Sequence, residues 1–299
     1  MSAKRDPGIT LDLTDSEAFR HKVVKEGIHP ETFSQFQKII LSFYNHEGRD
    51  MPWRHTINPY HILVSEIMLQ QTQVDRVRKK YPEFITAFPT YASLADAPLH
   101  QVLALWQGMG YNRRAIALQA CARKVRDEHN GILPPDEDVL ETLPGIGHAT
   151  ACSIAAFAFN RPVVFIETNI RRVFIHFFFN DWSSVRDREI LPFAEQALYR
   201  ENPRVWYWAM MDYGSVLKNA ISNPNRKSAH YTKQATFKGS DRQIRGIVIR
   251  SLLKVPEQGE QELVNTISHD PARVHRIIEG LVAEGFIART GVRLSIRAF

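Results

Sequence analysis

The sequence predicts a mainly α protein, a helical body followed by a small α+β domain. Apolar residues recur at helical spacing from Pro30 to about residue 219, where strand signals are weak. A polar, basic stretch over 220–239 then separates a compact C-terminal segment from the body. That segment reads as three helices and a hairpin. The chain has 299 residues, 44% hydrophobic and 23% charged, which excludes fibrous and wholly disordered classes. No apolar run approaches the ~18 residues of a membrane span, so no membrane partner is expected. The first fifteen residues have no apolar core, so no secretory signal is expected.

Residues 1–29 are polar and weakly patterned and read as a loose, flexible lead-in. From Pro30, Phe33, Phe36, Ile39, Ile40 and Phe43 follow the 3.6-residue period. A breaker-rich link from Gly48 to Pro59 contains MPWR. HILVSEIML (61–69) reads as a buried helix and 74–87 as another. Short helices follow at 91–95 and 98–106, then a long amphipathic one at 112–129 that stops near Asn130-Gly131. Two helices, 136–142 and 148–159, flank Leu143-Pro144-Gly145-Ile146-Gly147, and the chain stays helical to about 219. Residues 220–239 read as a linker. Beyond it Ile244, Ile247, Val248, Leu252 and Leu253 make one helix and Glu260–Ser268 a second. Val274 to Val282 make a third, opened by Asp270-Pro271 as cap and first residue. FIARTGVRLSI is two short strands about Thr290-Gly291. Three helices and a hairpin over 240–299 is the winged-helix pattern.

Charge and cysteines narrow the chemistry. Residues 226–299 carry 13 of the 38 basic and 7 of the 32 acidic side chains, which is the whole net charge of +6. A neutral body with a basic C-terminal quarter suits a polyanion partner, though a basic inert surface has the same composition. The two cysteines, Cys121 and Cys152, fall inside apolar helical patterns and read as buried thiols. Two thiols cannot make an all-cysteine metal site or a four-cysteine iron–sulfur cluster, so no metal and no cofactor is expected.

Three motifs carry chemistry. Leu143–Ala151, LPGIGHATA, turns tightly between two helices. Its glycines let backbone approach a phosphate and aim helix N–H groups outward, although a loop joining two packed helices looks alike. Glu66 stands inside the apolar run Ile62–Leu69. Burial there would raise its pKa and suit a general acid, while a wet stripe on the helix would leave it ordinary. Gln70 and Gln71 follow it with amide donors and acceptors. Glu167 follows the apolar stretch Val163–Ile166 where a helix begins. It is either helix-start decoration or an anion held against a developing positive charge.

Taken together, MPWR, PYHILVSEIMLQQTQV, LWQGMGY, LPGIGHATA, IETNIRRV and AMMDYG resemble, in order and approximate spacing, the helix-hairpin-helix DNA glycosylase superfamily. SEIMLQQTQV points to its MutY-type adenine DNA glycosylases. The resemblance covers roughly residues 30–219 and implies a two-lobed helical body that acts on double-stranded DNA bearing a mispair or lesion. It implies that Glu66 protonates the departing base and that Glu167, usually Asp in the family, stabilises or captures the sugar cation. Trp53, Arg54, Leu69, Gln71 and Val74 match residues near the extruded base, and Ala149 and Trp208 join them in the base pocket. Gln70, Tyr111, Asn112, Gly145 and Gly147 fall on DNA-binding positions. In the winged helix, Arg273, Arg276, Arg289 and Arg293 are the expected phosphate contacts.

The departures from the family's pattern are specific. Ala149 stands where bifunctional relatives place a lysine, so no Schiff base forms there. Trp208 replaces a glutamine or glutamate that reads the base, Asn112 replaces the second wedge tyrosine, and Lys218 falls where the first cluster cysteine belongs. The implied activity is that of a monofunctional DNA N-glycosylase of base excision repair, with adenine from a mispair as first substrate. Hypoxanthine, or thymine or uracil opposite guanine, is the alternative, because Trp208 exchanges a hydrogen-bonding reader for a stacking surface. A non-catalytic winged-helix DNA-binding regulator is the alternative of another class. A monomer in the cytoplasm, nucleoid-associated in a prokaryote, is expected.

Overall fold

The computed structural model describes residues 11–232 and 236–298. In chain order its helices are α1 Thr14–Glu26, α2 Pro30–Glu47, α3 Pro59–Leu69, α4 Val74–Ala87, α5 Tyr91–Asp96, α6 Leu99–Leu105, α7 Arg113–Glu128, α8 Glu137–Glu141, α9 His148–Phe159, α10 Thr168–Phe178, α11 Asp187–Ala197 and α12 Pro203–Ala220. The C-terminal segment follows as α13 Asp241–Lys254, β1 Glu257–Gly259, α14 Glu260–Thr266, α15 Pro271–Ala283, β2 Ile287–Thr290 and β3 Arg293–Ile296. The chain divides into two compact units. The first holds the described residues up to Pro59, Pro135–Glu141 and those from Gly147 to 232; the second holds Tyr60–Pro134, Thr142–Ile146 and those from 236 on. None of the described helices is long and apolar enough to cross a membrane.

An aromatic cluster makes the core of the first unit. Phe36 of α2 meets Phe177 at 4.9 Å between ring centroids and Trp206 of α12 at 5.7 Å, both edge-to-face. Each buried phenylalanine contributes about 1.5–3 kcal/mol from lost apolar surface, and edge-to-face pairs add about 0.5–1.5 kcal/mol. Phe19 of α1 joins the cluster edge-on at 5.4 Å from Phe177 and is 1% exposed. The segment expected as a loose lead-in is therefore a docked helix over 14–26; its first ten residues lie outside the described ones. The stretch expected as a linker also holds regular structure. A 3-10 turn at Pro224–Lys227 packs on α10, where the Asn225 side chain donates to the Thr168 carbonyl at 2.8 Å. Val185 and Ser228 form a parallel bridge. Residues 233–235 lie outside the described ones.

The second unit buries Trp106, Leu118, Phe84 and Val102 between α4, α5, α6 and α7. Its C-terminal part has the order helix, strand, helix, helix, hairpin, with an antiparallel sheet ordered β1-β3-β2. That is the winged-helix order, with one more strand than the hairpin read from sequence. β1 pairs Gln258 with Leu294, and β2 pairs Arg289 with Leu294. Asp270 caps α15 by accepting from the Arg273 amide at 2.9 Å, as its position before Pro271 predicts.

Candidate functional site

Glu66 lies on α3, where seven of the eleven residues are buried. Ile62, Leu63, Val64, Ile67 and Met68 are at most 2% exposed, and Ser65 Oγ donates to the Ile62 carbonyl at 2.8 Å. Glu66 itself is half-buried. The helix ends with the Gln70 amide donating to the Glu66 carbonyl at 3.3 Å, and Gln71 follows at φ 53°. Leu69 and Val74 flank this turn, both half-exposed, and Gln71 is exposed.

Arg114 organises this corner and escaped the sequence reading. Its Nη1 donates to the carbonyls of Ile67, Met68 and Gln70 at 2.5–2.9 Å. Its Nη2 donates to Thr72 Oγ1 at 2.9 Å and to the carbonyls of Met109 and Gly110 at 3.2 and 3.0 Å. The guanidinium lies over the rings of Trp106 and Tyr111, and burial pushes its pKa down to about 10. The available signal was an arginine next to a glycine-containing turn, where carbonyls want donors. Tyr111 takes φ 47°, and Asn112 is the α-helical residue preceding α7. Gln70 Nε2 donates to the Gly145 carbonyl at 3.3 Å. Gly145 has φ 79°, and a Cβ there would stand 2.7 Å from the Ala117 Cβ, so conformation and space both require glycine. Gly147, by contrast, has φ −97° and open space about it. It precedes α9, where the unpaired N–H groups of a helix start are found. Ala149 is half-buried in that first turn.

In the first unit Glu167 is itself the cap of α10. Its Oε1 accepts from the amides of Asn169 and Ile170 at 2.6 and 2.8 Å, and Oε2 from Asn169 Nδ2 at 3.3 Å. Burial raises its pKa, opposed by those amides and by the charge of Arg172. Arg172 is fixed by Asn169 Oδ1 at 2.7 Å, the Gly214 carbonyl at 2.5 Å and Asn223 Oδ1 at 3.1 Å.

Trp53 is 5% exposed. Arg54, expected near the extruded base, has its guanidinium held by Asp212. Its Nη1 and Nη2 donate to Asp212 at 2.8 Å each, and Nη1 also to the Arg49 carbonyl at 2.9 Å. Asp212, wholly buried, also accepts from Arg49. Burial raises its pKa, but the bonds and charges of Arg54 and Arg49 win and hold it below the usual carboxylate range. Arg54 also lies 5.5 Å from the ring of Trp208, which stacks on Phe157 at 6.0 Å. Both residues line an open hollow of about 390 Å³ with His55, Asn202 and Arg204.

The winged-helix arginines divide. Arg289 pairs with Glu260 at 2.9 Å and Glu279 at 2.7 Å, Arg273 with Asp241 at 2.6 Å, and Arg293 with Glu257 at 3.7 Å. Only Arg276 of the four is exposed without an acidic partner among the described residues. Cys121 and Cys152 are free, buried thiols, each pushed by burial up to about 12. Among the described residues no group of three or more His, Cys, Asp or Glu is placed to hold a metal ion. The donor set does not fit an iron–sulfur cluster.

Residues 64–191 match the family model of the HhH-GPD superfamily base excision DNA repair proteins. The chain is 33% identical over 272 residues to the adenine DNA glycosylase of Mycolicibacterium smegmatis, covering 84% of this chain and 92% of that one. The adenine DNA glycosylase of Mycobacterium tuberculosis is 31% identical over 279 residues, covering 84% and 90%. Among solved structures, a thermostable thymine-DNA glycosylase superposes with a TM-score of 0.60 at 26% identity, covering 65% of this chain and 91% of its own. A match along nine tenths of these relatives, with the expected motifs in one order, makes this chain a member of the adenine DNA glycosylase family of the HhH-GPD superfamily.

Proposed function

We propose that the chain is a monofunctional DNA N-glycosylase that removes adenine from a mispair in duplex DNA and leaves an abasic site. The observation that carries this reading is the pair of carboxylates in contrasting settings, Glu66 on an apolar helix and Glu167 held by three N–H donors at the start of α10. The base is drawn out of the stack. Glu66, as the acid, gives its proton to a ring nitrogen of the base. The C1′–N bond breaks with its electron pair going to the base, and the sugar is left as an oxocarbenium-like cation. Glu167, as the anion, balances that charge. Water adds at C1′ and loses a proton to Glu66, which restores the acid. Ala149 offers no amine, so the chain ends at the abasic site without strand cleavage. No cofactor takes part, and the enzyme acts as a monomer where the chromosome is.

A panel of labelled duplexes, each with one mispair or lesion and alkali-treated after incubation, tests this. Release of adenine without cleavage before alkali is expected, and Glu66→Gln abolishes release while leaving duplex binding nearly intact. Borohydride trapping of a protein–DNA adduct would refute the monofunctional assignment. A second reading, thymine or uracil opposite guanine, is favoured by Trp208 and by the similarity to a thymine-DNA glycosylase. The same panel decides between them.

A further inference from the structure

The C-terminal segment grips one particular turn of the second unit. Arg242 of α13 donates from Nη1 to the Tyr111 hydroxyl at 2.5 Å, and its guanidinium lies 5.4 Å from the centre of the Tyr111 ring. Arg114 lies over the same ring at 5.5 Å. Two residues after Tyr111, Arg113 makes a two-pronged pair with Glu284 at 2.7 and 2.6 Å, and Arg245 of α13 makes another with the same carboxylate at 2.5 and 2.9 Å. These two guanidiniums hold Glu284 down at about 2. Tyr111 sits at φ 47°, a conformation that costs a non-glycine residue energy and persists where surroundings impose it. Arg114, beneath it, ties together the carbonyls that close the Glu66 helix. A continuous run of contacts thus leads from Arg242 through Tyr111 and Arg114 to the exit of α3.

We propose that Arg242 is a positioning residue for base release, which holds Tyr111 on Arg114 and thereby fixes the turn that follows the helix of the catalytic acid. The C-terminal segment then serves chemistry as well as any contact with DNA. This rests on the glycosylase reading given above.

The test uses the full-length chain and three substitutions. Arg242→Ala is expected to lower single-turnover base release at saturating enzyme by roughly tenfold or more, with duplex affinity held within roughly threefold. Amide hydrogen exchange at Gln70 and Thr72, whose N–H groups close the end of α3, becomes faster. In a Tyr111→Leu background the same change has little further effect on rate, because the link is already cut. Arg242→Lys retains charge without the plane over the ring, gives an intermediate loss, and carries the test if the alanine variant fails to fold. An unchanged rate, a full additive loss in the Tyr111→Leu background, or unchanged exchange at Gln70 and Thr72 overturns the proposal. Should the unaltered chain release no base from any duplex, the functional reading fails, and the exchange measurement still decides this one.

Discussion

Glu167 performs two jobs with one carboxylate, closing a helix start and presenting a half-buried charge. Its raised pKa has a definite sign in stability. A carboxyl that holds its proton more tightly folded than unfolded makes the folded state dearer when ionised, and the cost is relieved as pH falls through the raised pKa. Glu167→Gln keeps an oxygen that can accept from Asn169 and Ile170 but removes the charge. Base release is expected to fall about a hundredfold, while the melting temperature at pH 7 stays the same or rises. A clearly lower melting temperature would show that the charge itself, through the helix dipole, holds α10. Asp212 is the opposite case, with a depressed pKa that stabilises the fold at neutral pH and loses that contribution only as acid reaches its lowered pKa. Both glutamates were legible because a charge inside or beside an apolar run is conspicuous. Arg114 and the Arg49–Asp212–Arg54 cluster were not, since their partners come from distant stretches of chain and no spacing rule joins them.

At the scale of elements, the approach of α12 to α10 depends on a missing side chain. A Cβ on Gly214 would stand 2.5 Å from the Asn169 carbonyl oxygen and 2.8 Å from the Asn169 Cβ. Asn169 supplies two of the donors to Glu167. Gly214→Ala is therefore expected to cost about 1–3 kcal/mol of stability in urea unfolding and to slow base release by shifting Glu167. Unaltered unfolding and rate would mean that α12 yields without disturbing the cap. The helices with a strong apolar period were readable in advance, and α9 spans 148–159 as the pattern required. α1 was missed because only Ser16 and Phe19 are buried along thirteen residues. β1 was missed because Glu257-Gln258-Gly259 has no strand propensity and owes its state to pairing with β3. The turn at Pro224–Lys227 looked like linker because its bonds run from asparagine side chains, not from apolar contacts.

For the whole molecule, the net charge of +6 overstates how many cations are free for a polyanion. Arg273, Arg289 and Arg293 already face carboxylates, whereas Arg276 faces none among the described residues. Arg276→Ala is expected to reduce the slope of log affinity against log salt for duplex DNA by roughly 0.9. Arg289→Ala leaves that slope unchanged and destabilises the sheet instead. Equal slope changes for both would show that DNA displaces Glu260 and Glu279 from Arg289. The path of the chain has a consequence of its own. It passes from the first unit to the second near residue 59, back near 135, across again at 142–146 and finally beyond 232. Neither unit is a contiguous length of polypeptide, so no single break yields either one whole. A nonsense mutation between 232 and 241 accordingly does not trim an accessory. It removes the last of the three strands of sequence from which the second unit is woven, and leaves Tyr111 and Arg113 without the partners they meet there.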